Sequence, residues 1–133
     1  MTGVFADTSF YVALSSDRDA CHGAAMDFSA GYRGGIVTTE YILVELGNFF
    51  SRAGDRKVFL DLMDDLRSDP KTCVVPSGTK LFNDGLRLYA ARQDKDWSLT
   101  DCISFVVMHK HGLTEALTGD RHFEQAGLRA LLA

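Results

Sequence analysis

Short runs of apolar and β-branched residues alternate along this chain with longer segments of helical periodicity. The runs cover residues 4–6, 36–39, 73–75 and 116–118, and each is too short to form a helix. Two parallel strands need a connection long enough to hold a helix, so this alternation predicts βαβ units. We therefore expect an α/β fold: a three-layer α/β/α sandwich with a central, mostly parallel sheet covered on both faces.

The segments between these runs carry apolar residues at helical spacing. The predicted helices lie around residues 10–14 and at 19–30, 40–51, 55–67, 80–92 and 98–111, with a short helix ending at residue 125. Gly31, Gly54 and Gly112 are typical helix ends, and Pro76 closes the third strand. Residues 128–132 could add a fifth strand at the edge of the sheet.

Length and composition limit the class of protein. With 133 residues, 46% of them hydrophobic, the chain is long enough for one substantial core, and we expect a single domain spanning residues 1–133. The formal net charge of −4 argues against nucleic-acid binding by a broad basic surface. It does not exclude a nuclease, because metal-binding acids make the total more negative.

Cysteine usage and hydropathy predict a cytoplasmic protein. Cys21, Cys73 and Cys102 are odd in number, far apart and set among apolar neighbours, which is typical of reduced thiols in a core. No stretch approaches the roughly 20 apolar residues that span a bilayer, and no basic segment precedes the first apolar run. We expect neither a membrane partner nor export.

Two aspartates lie just after apolar runs. Asp7 comes after the first predicted strand and Asp120 follows the fourth, separated from it by Gly119. In open parallel sheets, ligands bind at the carboxyl ends of the strands, where the strand order reverses. Both aspartates are therefore candidates for a site, although each could equally be a helix cap or a turn residue.

Glu45 is harder to explain as a local structural residue. It lies three residues after Ile42 and four before Phe49, within the stripe that we predict from Ile42, Leu46 and Phe49. An ionised carboxylate on a buried face needs a compensating charge. A bound cation or a buried Arg or Lys would supply it.

Asp101 admits two interpretations. It follows Ser98 by three residues ahead of an apolar run, which resembles a helix capping arrangement. An acid in the first turn of this helix could equally point into a cleft. A cluster of carboxylates suits Mg²⁺ or Mn²⁺, whereas no set of Cys and His residues suits zinc.

Taken together, four sequence segments resemble the PIN-domain ribonucleases of the VapC toxin type. The matching segments are Asp7-Thr8-Ser9, Val44-Glu45-Leu46, the stretch 97–105 and the stretch 117–127. The resemblance implies a five-stranded sheet in the order 3-2-1-4-5, with Asp7 and Asp120 side by side. It also implies Mg²⁺-dependent endonucleolytic cleavage of RNA by the family's acidic quartet, which here is Asp7, Glu45, Asp101 and Asp120.

The hypothesis that follows is metal-assisted hydrolysis of the phosphodiester bond. Asp7 and Asp101 would bind the ion directly or through water, and Glu45 and Asp120 would complete the shell or orient the water. Hydroxyl groups beside the acids are candidates for fixing the carboxylates. These are Thr8, Ser9 and Thr118. The resemblance further implies a homodimer and a small antitoxin lying across the cleft.

Several alternatives remain open at this point. The chain could be a housekeeping RNA-processing nuclease, or a module of the same fold that binds RNA or protein without cleaving. An acyl-phosphate enzyme or receiver domain with Asp7 as nucleophile fits less well, because Ser9 stands where a second acid would be expected.

Some further residues could contribute to binding. Arg121 and His122 could contact a phosphate, and Trp97 could stack on a base, although packing at the sheet edge is favoured. Four apolar side chains could cover partner surfaces if they do not pack in the core. These are Phe28, Phe49, Phe50 and Leu60.

Overall fold

A parallel sheet of five strands lies at the centre of the computed structural model, which describes residues 3–133. The strands are β1 (Gly3–Ala6), β2 (Gly35–Thr39), β3 (Thr72–Val75), β4 (Glu115–Leu117) and β5 (Arg129–Ala130). Their order is β3-β2-β1-β4-β5, and every neighbouring pair is parallel. The fold and the strand order that the resemblance implied are both confirmed.

Seven helices connect the described strands. They are α1 (Thr8–Ser15), α2 (His22–Gly31), α3 (Glu40–Phe49), α4 (Arg56–Ser68), α5 (Thr79–Ala91), α6 (Leu99–Lys110) and α7 (Arg121–Gln125). Helix α1 packs against α2 and α3, and α3 also packs against α4. Helix α6 packs against both α5 and α7. These two packed groups correspond to the two helical layers predicted around the sheet.

The strand order brings the ends of β1 and β4 together. Ala6 pairs with Leu117, and the Asp7 N–H continues the ladder by donating to the Leu117 carbonyl at 3.2 Å. The chain leaves β1 on one side of this point and β4 on the other, so the order of the sheet reverses here. Asp7 and the segment leading to Asp120 therefore begin at the same edge, where open sheets bind ligands.

An aromatic cluster holds this edge in place. Phe5 and Phe123 are fully buried, with ring centroids 6.4 Å apart. Phe105 packs edge-on against Phe123 at 5.0 Å, and Trp97 packs edge-on against Phe105 at the same distance. Burying each such ring stabilises the fold by about 1.5–3 kcal/mol, so α6 and α7 are fixed against β1.

Some sequence-based expectations were wrong in detail. Cys102 is buried, but Cys73 is exposed and Cys21 is half-buried, so the three cysteines are not all core thiols. Cys73 lies on β3, an edge strand of the sheet, which leaves it accessible. The fifth strand has only two residues. Within residues 3–133, no helix is both long enough and apolar enough to cross a membrane.

Candidate active site

A cleft of about 460 Å³ opens at the carboxyl ends of β1 and β4. All four acids of the predicted quartet line it, and so do two acids that were not predicted, Asp19 and Asp96. The other lining residues are Thr8, Ser9, Val12, Ser98 and His122. The topology thus gathers carboxylates from five separate segments of the sequence around one opening.

Asp7 is the most buried of these acids, with 7% of its surface exposed. Its Oδ2 accepts hydrogen bonds from Thr118 Oγ1 at 2.9 Å and Ser9 Oγ at 3.2 Å. Burial raises the pKa of Asp7 to about 6, against the opposing hydrogen bond from Thr118, and the nearby charge of Asp101 adds to the rise. Asp7 is thus a carboxylate whose charge the protein alone does not balance.

Asp101 satisfies both of the interpretations that its sequence allowed. Its N–H donates to Ser98 Oγ at 3.0 Å, while its Oδ2 accepts from the Ser98 N–H at 3.1 Å, so a complete capping box begins α6. The same carboxylate is 9% exposed and lines the cleft. Capping therefore holds the Asp101 side chain at the cleft wall instead of competing with that position.

Glu45 lies at the cleft, but the expectation that it is buried in an apolar stripe was wrong. Its side chain is exposed. The buried stripe of α3 consists of Ile42, Leu43 and Leu46 and continues into Phe50, whereas Phe49 is 59% exposed. Around the helix axis, this buried stripe lies farther from Glu45 than the predicted stripe through Phe49 would lie. Thr8 Oγ1 donates to Glu45 Oε1 and links α3 to the start of α1.

Asp120 is both a helix cap and a cleft residue. Its Oδ1 accepts from the His122 N–H at 2.9 Å at the start of α7. Its own N–H donates to Thr118 Oγ1 at 3.0 Å, and that hydroxyl in turn donates to Asp7. Thr118 therefore connects the two aspartates that follow β1 and β4.

The tightest group of potential metal ligands consists of Asp101, Asp120 and His122. One side-chain ligand atom from each lies within 4.8 Å of the others, whereas Asp7 and Glu45 fall outside this group. His122 Nδ1 is 3.1 Å from Asp101 Oδ2 and 3.5 Å from Asp120 Oδ2. From the sequence, His122 was a candidate only for a phosphate contact. The sequence feature that points to a place beside the metal ligands is its position two residues after Asp120.

The donor set fits a hard divalent cation. Carboxylate oxygens are the ligands that Mg²⁺ and Mn²⁺ prefer. Among residues 3–133, no Lys or Arg forms an ion pair with Asp7, Glu45, Asp101 or Asp120. A buried carboxylate needs a compensating charge, and a cation in this cleft would supply it.

Trp97 has a packing role in this structure. It is 6% exposed, its indole N–H donates to Gln125 Oε1 at 3.1 Å, and the Arg92 guanidinium lies 5.1 Å from its ring centroid. With one edge against Phe105 and a cation over the ring, Trp97 has little surface left for a base. The packing alternative is the one that the structure adopts.

Comparison with known proteins gives consistent matches along most of the chain. The model of the PIN domain family matches residues 4–128. The curated 23S rRNA-specific endonuclease VapC20 of Mycobacterium tuberculosis, from two strains, is 27% identical over 124 residues, covering 93% of this chain and 94% of the relative. The crystal structure of Mycobacterium tuberculosis VapC20, described as a sarcin-ricin loop cleaving toxin, superposes with a TM-score of 0.85 at 26% identity. It covers 94% of this chain and 95% of that one.

Proposed function

Because the chain belongs to the PIN-domain family, we propose that it is an endoribonuclease and the toxin of a VapBC-type toxin–antitoxin pair. The VapC20 relatives, similar over nearly their whole length, support this reading. We further propose that cleavage requires Mg²⁺ or Mn²⁺. The observation that carries the metal proposal is the cleft in which four acids meet without a Lys or Arg partner among the described residues.

In this proposal the four acids hold the ion. Asp7 and Asp101 bind it directly or through water, and Glu45 and Asp120 complete the shell or orient the attacking water. When bound, the ion lowers the pKa of a coordinated water and neutralises charge on the phosphodiester. The substrate brings further negative charge to a cleft that is already acidic, so without a cation the phosphate would be repelled.

The hydroxyl groups fix the geometry of the acids. Ser9 and Thr118 both donate to Asp7 Oδ2, which leaves Oδ1 without a side-chain donor among the described residues. Thr8 donates to Glu45 in the same way. Donors that hold a carboxylate in one orientation commonly contribute about 10- to 100-fold to metal affinity or activity. We assign this supporting role to Thr8, Ser9 and Thr118.

The test is cleavage of a structured RNA by the parent protein and by Asp7→Ala and Asp101→Ala. A hairpin of the sarcin-ricin type, the substrate class named for the relative, is a suitable first RNA. We expect cleavage with Mg²⁺, none with EDTA, and a loss of at least about 100-fold in each variant. Asp61→Asn is the matched control, because Asp61 is an exposed acid paired with Lys57 on α4.

Four results would contradict the proposal in different ways. Full activity in either alanine variant, with folding checked by circular dichroism, would rule out the metal mechanism. Binding of RNA without cleavage would favour a non-catalytic module, and a phosphorylated Asp7 would favour an acyl-phosphate enzyme. If expression of an active enzyme leaves growth unchanged, the protein is a housekeeping RNA-processing nuclease instead of a toxin.

We also propose a homodimer and a cognate antitoxin in the cytoplasm. Of the four apolar candidates for partner surfaces, Phe49 and Leu60 are 59% and 60% exposed, whereas Phe28 is half-buried and Phe50 is 8% exposed. Val44, on α3, is 63% exposed. Light scattering coupled to size exclusion measures the oligomer, and a monomer at micromolar concentration would contradict the homodimer.

A further inference from the structure

We infer that His122 is a positioning residue that fixes the Asp101 carboxylate, and through it the affinity of the cleft for its divalent ion. This inference rests on the proposed function. His122 lies outside the acidic quartet, and its Nδ1 contacts the Asp101 carboxylate.

With Asp101 ionised, the chemistry of the contact assigns the ring hydrogen to Nδ1. His122 Nδ1 lies 3.1 Å from Asp101 Oδ2. An ionised carboxylate can only accept hydrogen bonds, so Nδ1 must be the donor. The same Nδ1 is 3.5 Å from Asp120 Oδ2, and thus this one N–H stands between the two carboxylates that begin α6 and α7.

The donors to Asp101 converge on one oxygen. Oδ2 accepts from both the Ser98 N–H at 3.1 Å and the His122 ring. No hydrogen bond to Asp101 Oδ1 is present among residues 3–133. The carboxylate is therefore held at one oxygen while the other stays free for a ligand, the same arrangement that Ser9 and Thr118 give to Asp7.

The ring itself is held by its neighbours along the chain. The His122 N–H donates to Asp120 Oδ1 at 2.9 Å, and the adjacent Phe123 is fully buried against Phe5 and Phe105. Helix α7 is short, but this anchoring residue fixes its first turn. The imidazole, with 27% of its side chain exposed, is thus presented to the cleft from a rigid base.

A different role, direct coordination of the ion by His122, would use the geometry differently. Coordination through Nδ1 would cost that nitrogen its hydrogen and its bond to Asp101, whereas coordination through Nε2 would keep both and add a bond to the ion. An asparagine at this position keeps an N–H donor near the place of Nδ1, but an amide nitrogen does not replace an imidazole as a ligand. His122→Asn therefore separates the positioning role from the coordinating role.

The experiment is a titration of the metal-free protein with Mn²⁺, followed by electron paramagnetic resonance of the free ion. We expect His122→Leu, which removes the donor at similar size, to weaken Mn²⁺ binding at least about tenfold. His122→Asn should stay within about threefold of the parent. The matched control is His109→Leu, because His109 is exposed near the far end of α6, and it should bind Mn²⁺ as the parent does.

Two outcomes would overturn the inference while leaving the proposed function standing. Parent-like Mn²⁺ binding by His122→Leu would remove the positioning role. Equal weakening in His122→Asn and His122→Leu, with both variants folded, would point to direct coordination instead. A parent protein that neither binds Mn²⁺ nor cleaves RNA would contradict the proposed function itself, and the inference with it.

A kinetic measurement gives an independent readout. In His122→Leu, kcat for RNA cleavage at limiting Mn²⁺ should fall about tenfold while KM for RNA stays unchanged, and saturating Mn²⁺ should restore kcat. If His122→Leu does not fold, His122→Gln provides the comparison, because its longer side chain displaces the donor from Asp101. His122→Gln should then bind Mn²⁺ more weakly than His122→Asn, and the reverse order would overturn the inference.

Discussion

Asp7 combines deep burial with a charge that no described basic residue compensates. Burial raises its pKa to about 6 in the folded chain, from a reference value of 3.8, although Thr118 and Ser9 donate to it. A folded-state pKa above the unfolded one means that the native protein holds this proton more tightly. Between the unfolded-state pKa of 3.8 and the folded-state pKa of about 6, the free energy of unfolding must fall as the pH rises, because Asp7 ionises more easily in the unfolded chain.

We predict that Asp7→Asn stabilises the metal-free protein in a pH-dependent way. The shift from 3.8 to about 6 corresponds to a cost of about 3 kcal/mol at neutral pH, which the amide does not incur. The difference in free energy of unfolding between variant and parent should be small at pH 4, grow through pH 5 and level off above pH 6.5. Urea denaturation in EDTA at several pH values measures it.

Asp61→Asn serves as the control, because its side chain is 61% exposed and its replacement leaves the buried Asp7 carboxyl in place. A pH-independent difference for Asp7→Asn would contradict the assignment of the raised pKa to Asp7. In the presence of Mg²⁺ the proposed function predicts the opposite order, since the ion would stabilise the parent and not the variant.

At the residue level, the sequence predicted which acids meet but not why they do so. Asp101 and Asp120 were ambiguous between cap and cleft, and the structure combines both roles in each residue. Glu45 was singled out because of a buried stripe that the structure places elsewhere on α3. Its position at the cleft follows from the resemblance alone, because one-dimensional periodicity cannot tell which of two adjacent helical faces meets the sheet.

At the level of elements, the alternation of short apolar runs and helical segments was sufficient to predict the strands and helices. Each predicted strand and helix is present, with ends that differ by a few residues. The largest difference is β5, where a possible strand over residues 128–132 reduces to Arg129–Ala130. Edge strands pair on one side only, so local sequence specifies their length weakly.

Gly85 gives a prediction at this level, because it lies where α5 meets α6. A Cβ at this position would overlap Ile103 Cγ1 and approach the Ile103 backbone N and Cα to 3.3 Å. Alanine is the better helix former by about 1 kcal/mol, but overpacking of a close helix contact costs about 1–3 kcal/mol. We expect Gly85→Ala to lower the free energy of unfolding by about 1 kcal/mol.

The matched control is Gly23→Ala on α2, where nothing lies within 4 Å of the added Cβ. This variant should be unchanged or more stable by up to about 1 kcal/mol. Thermal melts of both variants compare the two effects directly. If Gly85→Ala were as stable as Gly23→Ala, the close approach of α5 and α6 would not be a constraint.

At the scale of the whole molecule, the strand order could not be predicted from local sequence patterns. Alternation predicts a parallel sheet, but several strand orders are compatible with it, and only the resemblance to the PIN family implied the order 3-2-1-4-5 that the structure confirms. That order decides the chemistry. It places β1 beside β4, so acids that lie more than 100 residues apart in the sequence line one cleft.

The net charge of −4 and the acidic cleft together predict how divalent ions affect global stability. An ion that binds only the folded protein stabilises it by about 2.7 kcal/mol at 100 times its Kd, so the proposed function predicts a Tm several degrees higher in Mg²⁺. NaCl at matched ionic strength screens surface repulsion without filling the cleft and should produce a smaller shift.

Asp101→Asn should respond to Mg²⁺ only as it does to NaCl, whereas Asp61→Asn should respond as the parent does. Equal shifts in MgCl₂ and NaCl for the parent would mean that the acids act through overall charge alone, and the cleft would then not be a specific metal site.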